Sequence, residues 1–349
     1  MNQDLSTTLA RAFTALEAGD FDAVAAAVAA AREAGMDPDN ANLLHLEALL
    51  AWATGEIDEA AGLFERALES KPDNPRIYIE CAELQADLMD FDTCEHVLRS
   101  LLERDDLELG VELTAETLLL LAQSRLSHQD PDPEEALELL DQIDESIHDD
   151  PAWISVRAAA LMGLERNDEG IALLAAAVER EDDAEAGSEL LYQLGIAHRE
   201  LGDEAAACEA LFELRRRDLA HLEVDADAAI DADERDDLLR RLEDVLESLP
   251  DPILKLIATA PISVQRWVSE EQIRDGADPR TPVLFEGTPM LDEADGEELE
   301  EGKLDGIILF RDMLVAEIES DEEIAAVIAE ALVEELERFF DIDGLVPGI

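Results

Sequence analysis

Gly55-Glu56-Ile57-Asp58-Glu59-Ala60-Ala61-Gly62-Leu63-Phe64-Glu65-Arg66-Ala67-Leu68, followed by Lys71-Pro72-Asp73-Asn74-Pro75, decides the reading of the first two thirds of this chain. Ala60, Phe64 and Ala67 fall on one face of a helix, three and four residues apart. Small side chains at 60 and 67 let a second, antiparallel helix approach closely. Phe64 fills the groove between the two helices, and Pro72 keeps the second from continuing. Such a helix cannot bury its apolar face alone and requires further copies of the unit to pack against.

The pattern returns along the sequence. Gly19-Asp20-Phe21-Asp22 opens an earlier helix through Val24, Val28 and Ala31, and Asp90-Phe91-Asp92 precedes Cys94, Leu98 and Leu101, with Cys94 in register with Ala60. Ala136, Leu140 and Ile143 follow after a gap that places an insertion near Asp106–Thr114. Gly170, Leu174 and Ala177 come next, and His198-Arg199-Glu200-Leu201-Gly202-Asp203 leads to Ala207 and Leu211. Six helical hairpins are expected between about residue 4 and residue 217, with Met89 standing where glycine is usual. The 34-residue spacing and the slots filled by Ala60, Phe64, Ala67 and Pro72 resemble the tetratricopeptide repeat. That resemblance implies an all-α superhelix of tetratricopeptide-like hairpins, whose concave groove takes a peptide or protein segment. By register, the first helices offer Asn42, His45, Tyr78, Glu80, Gln85, Gln123, Arg125, Arg157, Gln193 and His198 as candidate groove residues. A clamp of Lys and Asn residues for a terminal carboxylate is not apparent. The histidines are scattered over different repeats without an i, i+4 pair, and Trp52 and Trp153 are expected to pack between hairpins.

The 349 residues carry a formal charge of −63, and such a field opposes nucleic-acid phosphates and anionic lipid. No nucleic acid and no membrane are therefore expected as partners, and basic proteins or cations are favoured. Lysine occurs only at 71, 255 and 303, and Asp and Glu are interleaved with apolar residues, which also fits a protein hydrated for a high-salt cytoplasm. Cys81, Cys94 and Cys208 have no metal-ligand spacing and read as reduced thiols. The N-terminal residues lack the positive region of a signal peptide, and no apolar run reaches the ~18–20 residues of a membrane span. A cytoplasmic location is expected.

Arg215-Arg216-Arg217 is expected to cap the last repeat helix, and the Ala- and Asp-rich stretch at 218–233 to be an acidic linker. Beyond it, Leu238, Leu239, Leu242, Val245, Leu246 and Leu249 mark an amphipathic helix stopped by Pro250. Strands are expected over 262–268, 283–290 and 306–311, and a long helix opened by a Ser320-Asp321-Glu322-Glu323 capping box. Leu249-Pro250, Leu284-Phe285-Glu286-Gly287-Thr288-Pro289, Ile308-Leu309-Phe310-Arg311 and the spacing to Glu334-Glu335-Leu336-Glu337-Arg338-Phe339-Phe340 resemble the minimal zincin family of predicted bacterial zinc metallopeptidases. The resemblance covers about 234–345. It implies a small α+β domain at 234–349, with a site between the last helix and a strand edge.

Zinc hydrolysis of that kind needs two imidazoles one helical turn apart and a Glu after the first to deprotonate bound water. Here the ligand positions read Glu334 and Arg338, the family's acidic third ligand falls at Gly344, and only the general-base position, Glu335, is kept. No histidine follows His221. Glu334 and Arg338 have the spacing of a helical ion pair, and Glu335 reads as an exposed or capping carboxylate. The expected domain is a pseudo-metallopeptidase, not an enzyme, with no cofactor and no metal. Two alternatives stay open: a zinc or other metal-dependent peptidase with a carboxylate-altered site, Glu334, Asp341 and Asp343 holding a hard ion, and a structural subunit of a cytoplasmic assembly. The leading expectation is a scaffold or adaptor, with the repeats at 1–217 and the degenerate domain as its two recognition surfaces.

Overall fold

The computed structural model describes residues 9, 11–16, 18–181, 183–221, 229–257, 259–289, 303–315 and 324–340. The expected capping box at 320–323, positions 341, 343 and 344, and residues 222–228 of the expected linker fall outside these. Six helix pairs follow one another: α1 (described over 11–16) with α2 (Phe21–Glu33), α3 (Ala41–Ala53) with α4 (Ile57–Glu69), and α5 (Arg76–Asp87) with α6 (Phe91–Leu102). Then come α7 (Val111–Ser127) with α8 (Pro133–Leu140), α9 (Pro151–Gly163) with α10 (Asn167–Arg180), and α11 (Ala184–Glu200) with α12 (Glu204–His221). Each is a hairpin of the expected kind. Phe64 is fully buried with Ala60 and Ala67, and the Trp52 ring meets it edge-on at 6.5 Å. Of the expected insertion, residues 106–110 lie in the connection before α7, and residues 111–114 already belong to that helix.

The Asp before several of the second helices has a local cause. Asp20, Asp90 and Asp132 accept the backbone N–H three residues on, satisfying one of the amides that a helix start leaves unpaired. The turn just before needs a left-handed residue. Gly55 supplies it at φ 79°, where glycine has no Cβ to clash, but Met89 and Glu165 adopt the same conformation at φ 57° and 59°.

Contacts divide the chain into two compact units, Met1–Arg180 and Glu181–Ile349. The division falls ahead of α11, so the sixth hairpin, which carries the repeat pattern, lies in the second unit. The Arg215-Arg216-Arg217 run does not cap a helix end. α12 continues to His221, and the three arginines sit inside it.

The rest of the second unit starts with α13 (Ala232–Ser248), stopped at Leu249-Pro250 as read, and a short α14 (Asp251–Ile257). β1 (Ile262–Gln265), α15 (Glu270–Arg274), β2 (Val283–Thr288), β3 (Lys303–Phe310), α16 (Arg311–Leu314) and α17 (Ile324–Phe340) follow. Among the described residues the strands lie in the order β1-β3-β2, with β1 parallel and β2 antiparallel to β3, so β2 is at an edge of this sheet. The first two strands are shorter than the expected 262–268 and 283–290. Gly287 sits at the irregularity in the β2–β3 register with φ 145°, and a Cβ there would stand 2.0 Å from the Lys303 carbonyl oxygen. Only glycine fits. Val283, Phe285, Ile307 and Leu309 share one face of the sheet and bury it against Leu238 and Leu242 of α13 and Ile328, Leu332 and Leu336 of α17. This packing lays the motif helix along β2.

Candidate functional site

α17 carries the motif positions, and its packing separates them. Glu334 is exposed on the outer side of the helix, where burial and the neighbouring Glu330, Glu335 and Glu337 carboxylates push its own carboxyl above the ordinary range. Glu335 points the other way. It is only 7% exposed, and its Oε2 accepts the Phe285 backbone N–H of β2 at 3.2 Å. Arg338 closes over it, Nη2 donating to both Glu335 oxygens at 2.6 and 2.7 Å. The Glu334–Arg338 pair suggested by the helical spacing is therefore not the one formed. Arg338 turns to Glu335, three residues back, because that carboxylate is buried and needs a counter-charge. The reading of Glu335 as an exposed or capping carboxylate is corrected for the same reason.

Beside the pair, Phe339 and Phe340 pack edge-on to the Phe285 ring at 5.7 and 6.4 Å. The position after Arg338 thus serves the core. The residues present do not fit zinc: the first ligand position is an exposed carboxylate, the second a guanidinium committed to an ion pair. Among the described residues no group of His, Cys, Asp or Glu is arranged to hold a metal ion. Gly344, outside the described residues, has no side chain to offer.

The candidate groove residues of the first unit separate by burial. His45, Tyr78 and Gln85 are at most 7% exposed and pack inside the repeats rather than facing a partner. His45 joins neighbouring hairpins by a hydrogen-bond contact of its Nε2 with Glu80, its ring lying between Phe13 and Phe64. The Tyr78 hydroxyl accepts Arg104 Nη1 at 2.8 Å. Arg125 is held by Glu95 at 3.0 Å and Glu135 at 2.8 Å, and Arg157 by Asp141 at 2.7 Å while lying over the Trp153 ring. Asn42 and Gln123 remain exposed. What joins them on the first helices is acid. Burial, then Glu80 and Glu116, push the Glu83 carboxyl above its ordinary value, with Asp87 adding to them and Arg76 opposing. Glu80, Glu83 and Asp87 of α5 and Glu116 of α7 therefore share one neighbourhood.

The last two candidates, Gln193 and His198, are on α11 in the second unit. Gln193 donates to Glu189 at 2.9 Å, and His198 lies 3.9 Å from Asp203. Around them is a contact that the sequence reading missed. Arg199 donates to the carbonyls of Ile273, Gly276 and Ala277 at 3.1 to 3.4 Å, occupying acceptors at the end of α15. Tyr192 donates to Asp278, Arg215 Nε to the Val268 carbonyl at 2.7 Å, and Arg280 Nη1 to Glu189 at 2.8 Å while lying over the Tyr192 ring. The only signal was scarcity. With 25 basic residues in 349, most arginines have a carboxylate or carbonyl to reach.

The family model described as "Tetratricopeptide repeat" matches residues 51–111, covering α4 to α6 with their flanks. The one described as "Zincin-like metallopeptidase" matches residues 257–345 and leaves α13 outside. No curated protein matches the sequence. Among solved structures, that from "Functional Characterization of Pseudomonas Aeruginosa pilF" is 15% identical, with 62% of this chain and 92% of that one covered and a TM-score of 0.49. The Cut9–Hcn1 hetero-tetramer of APC/C gives 17% identity, coverage of 59% and 38%, and a TM-score of 0.46. YrrB, described as a TPR protein with an unusual peptide-binding site, gives 17%, 55% and 92%, and 0.39. At such scores the repeat fold rests on the hairpins themselves and on the family match.

Proposed function

We propose that this chain, which combines tetratricopeptide repeats with a zincin-like metallopeptidase domain, is a non-catalytic scaffold or adaptor for protein partners. The observation that carries the reading is the state of α17: Glu335, at the general-base position, is spent on Phe285 N–H and Arg338, and neither former ligand position offers an imidazole. A carboxylate committed through its oxygens to a backbone amide and a guanidinium is not held as a general base. The first unit supplies one recognition surface. Asn42, Gln123 and the acidic row of Glu80, Glu83, Asp87 and Glu116 suit a basic protein or peptide segment, and the same field opposes nucleic acid and anionic lipid. No described helix is long and apolar enough to cross a membrane. The buried thiols, with Cys81 pushed up to about 12 and Cys94 to about 11 chiefly by burial, suit a reducing cytoplasm.

The test uses the full chain. Tagged protein is compared in pull-downs with a Glu83→Gln, Glu116→Gln variant, and bound zinc is measured by mass spectrometry after loading and dialysis. A partner retained by the wild type and weakened in the variant, with zinc well below one per chain, supports the scaffold. Finding no partner sinks it. The second reading, a carboxylate-altered metallopeptidase, draws on the retention of Glu335 beside a strand edge. One tightly held zinc and metal-dependent cleavage abolished by Glu335→Gln would establish it.

A further inference from the structure

The connection between α6 and α7 departs from the repeat. The first helices α3, α5 and α9 have 13, 12 and 13 residues, whereas α7 has 17. Burial in α5 begins at Ile77, next to its start, but in α7 it begins only at Ala115, a full turn after Val111. The first turn of α7 therefore stands beyond the packed part of the array, and residues 103–110 lead up to it. An addition that leaves the packed face of a repeat intact is a surface feature, and such additions are a usual place for recognition.

The added segment is apolar and held in place. Leu102 and Val111, at its two ends, are 36% and 52% exposed, and Leu107 and Leu109 between them are half-buried. Arg104 pins it, donating to the Pro72 carbonyl at 3.2 Å, to the Tyr78 hydroxyl at 2.8 Å and to the two Asp106 oxygens at 2.7 and 2.8 Å. A surface fixed in advance loses little conformational freedom when something binds to it. Glu103, Asp105, Glu108 and Glu112 are exposed around it and form no ion pair among the described residues, while the Arg104 charge is taken up by Asp106. Glu112 lies one turn before Glu116, so these acids run on into the acidic row of the first helices.

We propose that residues 102–112 form a docking ledge for a cationic amphipathic segment of a protein partner. Its apolar side chains cover Leu102 and Val111, and its Lys or Arg side chains reach the four unpaired carboxylates. Charge complementarity selects this occupant. A second copy of the chain, at a formal charge of −63, would bring acid against acid, and anionic lipid is repelled in the same way. An apolar patch rimmed by like charges is closed to both and open to a partner that carries the opposite sign. The ledge deepens the scaffold reading, on which the choice of a protein occupant rests. It adds a place for the partner's apolar side chains, which the acidic row does not offer.

The probe is a helical peptide with one leucine face and one lysine face, and its control carries the same lysines with serine in place of leucine. Both are titrated into the full chain in about 0.5 M KCl, where the general acidic field is screened. Amide exchange followed by mass spectrometry reports where they sit. The amphipathic peptide should bind more tightly than its control and should protect residues 103–114. A double variant, Leu102→Ser with Val111→Ser, alters only exposed side chains. Its affinity for the amphipathic peptide should fall about tenfold, and that for the control should not change. Glu108→Gln with Glu112→Gln should weaken both peptides. An affinity for the amphipathic peptide unchanged in either variant, or protection that falls outside 103–114, overturns the proposal. Weakening by Glu83→Gln, Glu116→Gln alone would overturn the ledge and leave the scaffold reading standing. Failure of the pull-down, with the ledge losses as expected, would sink the scaffold reading and leave the surface chemistry of 102–112 intact.

Discussion

The hairpins α5–α6 and α11–α12 share one sequence pattern and serve different neighbours. α6 packs on α7, and the polar side chains around that contact stay within the repeats: Glu95 receives Arg99 and Arg125, and both arginines also reach Glu135. The polar side chains of α11–α12, namely Tyr192, Arg199 and Arg215, instead hold the segment between β1 and β2. Apolar spacing makes the hairpin in both cases. What differs is the rim of charged and hydroxyl groups, and the rim decides whether a hairpin extends the array or joins the α+β domain.

The comparison can be broken most forcefully from the inside. Leu98 and Leu211 are both fully buried, and truncating either to Ala should cost about 2–5 kcal/mol. Leu98→Ala should raise amide exchange within the first unit alone, whereas Leu211→Ala should raise it across 266–281 as well. If Leu211→Ala leaves 270–277 untouched, the sixth hairpin does not belong to the second unit. Arg199→Met should come next. It leaves the carbonyls of Ile273, Gly276 and Ala277 without this donor, at a cost of about 1.5–3 kcal/mol, with faster exchange in α15 and none in α3 to α10.

The turns sharpen the comparison further. Met89 occupies a left-handed conformation that Gly202 occupies in the sixth hairpin. Met89→Gly should therefore stabilise the first unit by about 1 kcal/mol, and Gly202→Met should destabilise the second by a similar amount, both read from thermal midpoints. The smallest effect belongs to Glu83. Its folded carboxyl titrates above the unfolded one, so the fold is favoured below the ordinary Glu range and loses stability as the pH rises through the folded value. Glu83→Gln should raise the melting temperature at pH 7 and give no gain near pH 4. A gain that persists in acid would mean that packing, not charge, is responsible.

Much of the fold was legible because periodicity and turn chemistry are local. The Ala60–Phe64–Ala67 spacing, the Asp caps and the Gly turns predict hairpins without reference to anything distant, and Ile307–Phe310 reads as a strand from its unbroken apolar run. The short helices α14, α15 and α16 were missed, since a helix of one or two turns has too few residues to show a period. Exposure along the first helices was only partly legible. Register placed His45, Tyr78 and Gln85 on the right helices, but whether a position on a helix is open or covered depends on the neighbouring hairpin.

The motif helix shows the same boundary most sharply. Residue identity alone leaves no imidazole at 334 or 338 and no carboxylate at 344, the positions that the family resemblance implies for zinc ligands. It did not establish what Glu335 does. On an isolated helix, Arg338 can reach a carboxylate three or four residues back, and the two choices differ by a few tenths of a kcal/mol. Only the tertiary structure decided between them, by burying Glu335 against the edge of β2. A carboxylate removed from water needs a donor and a counter-charge, and Phe285 N–H and Arg338 are the groups that the fold brings to it.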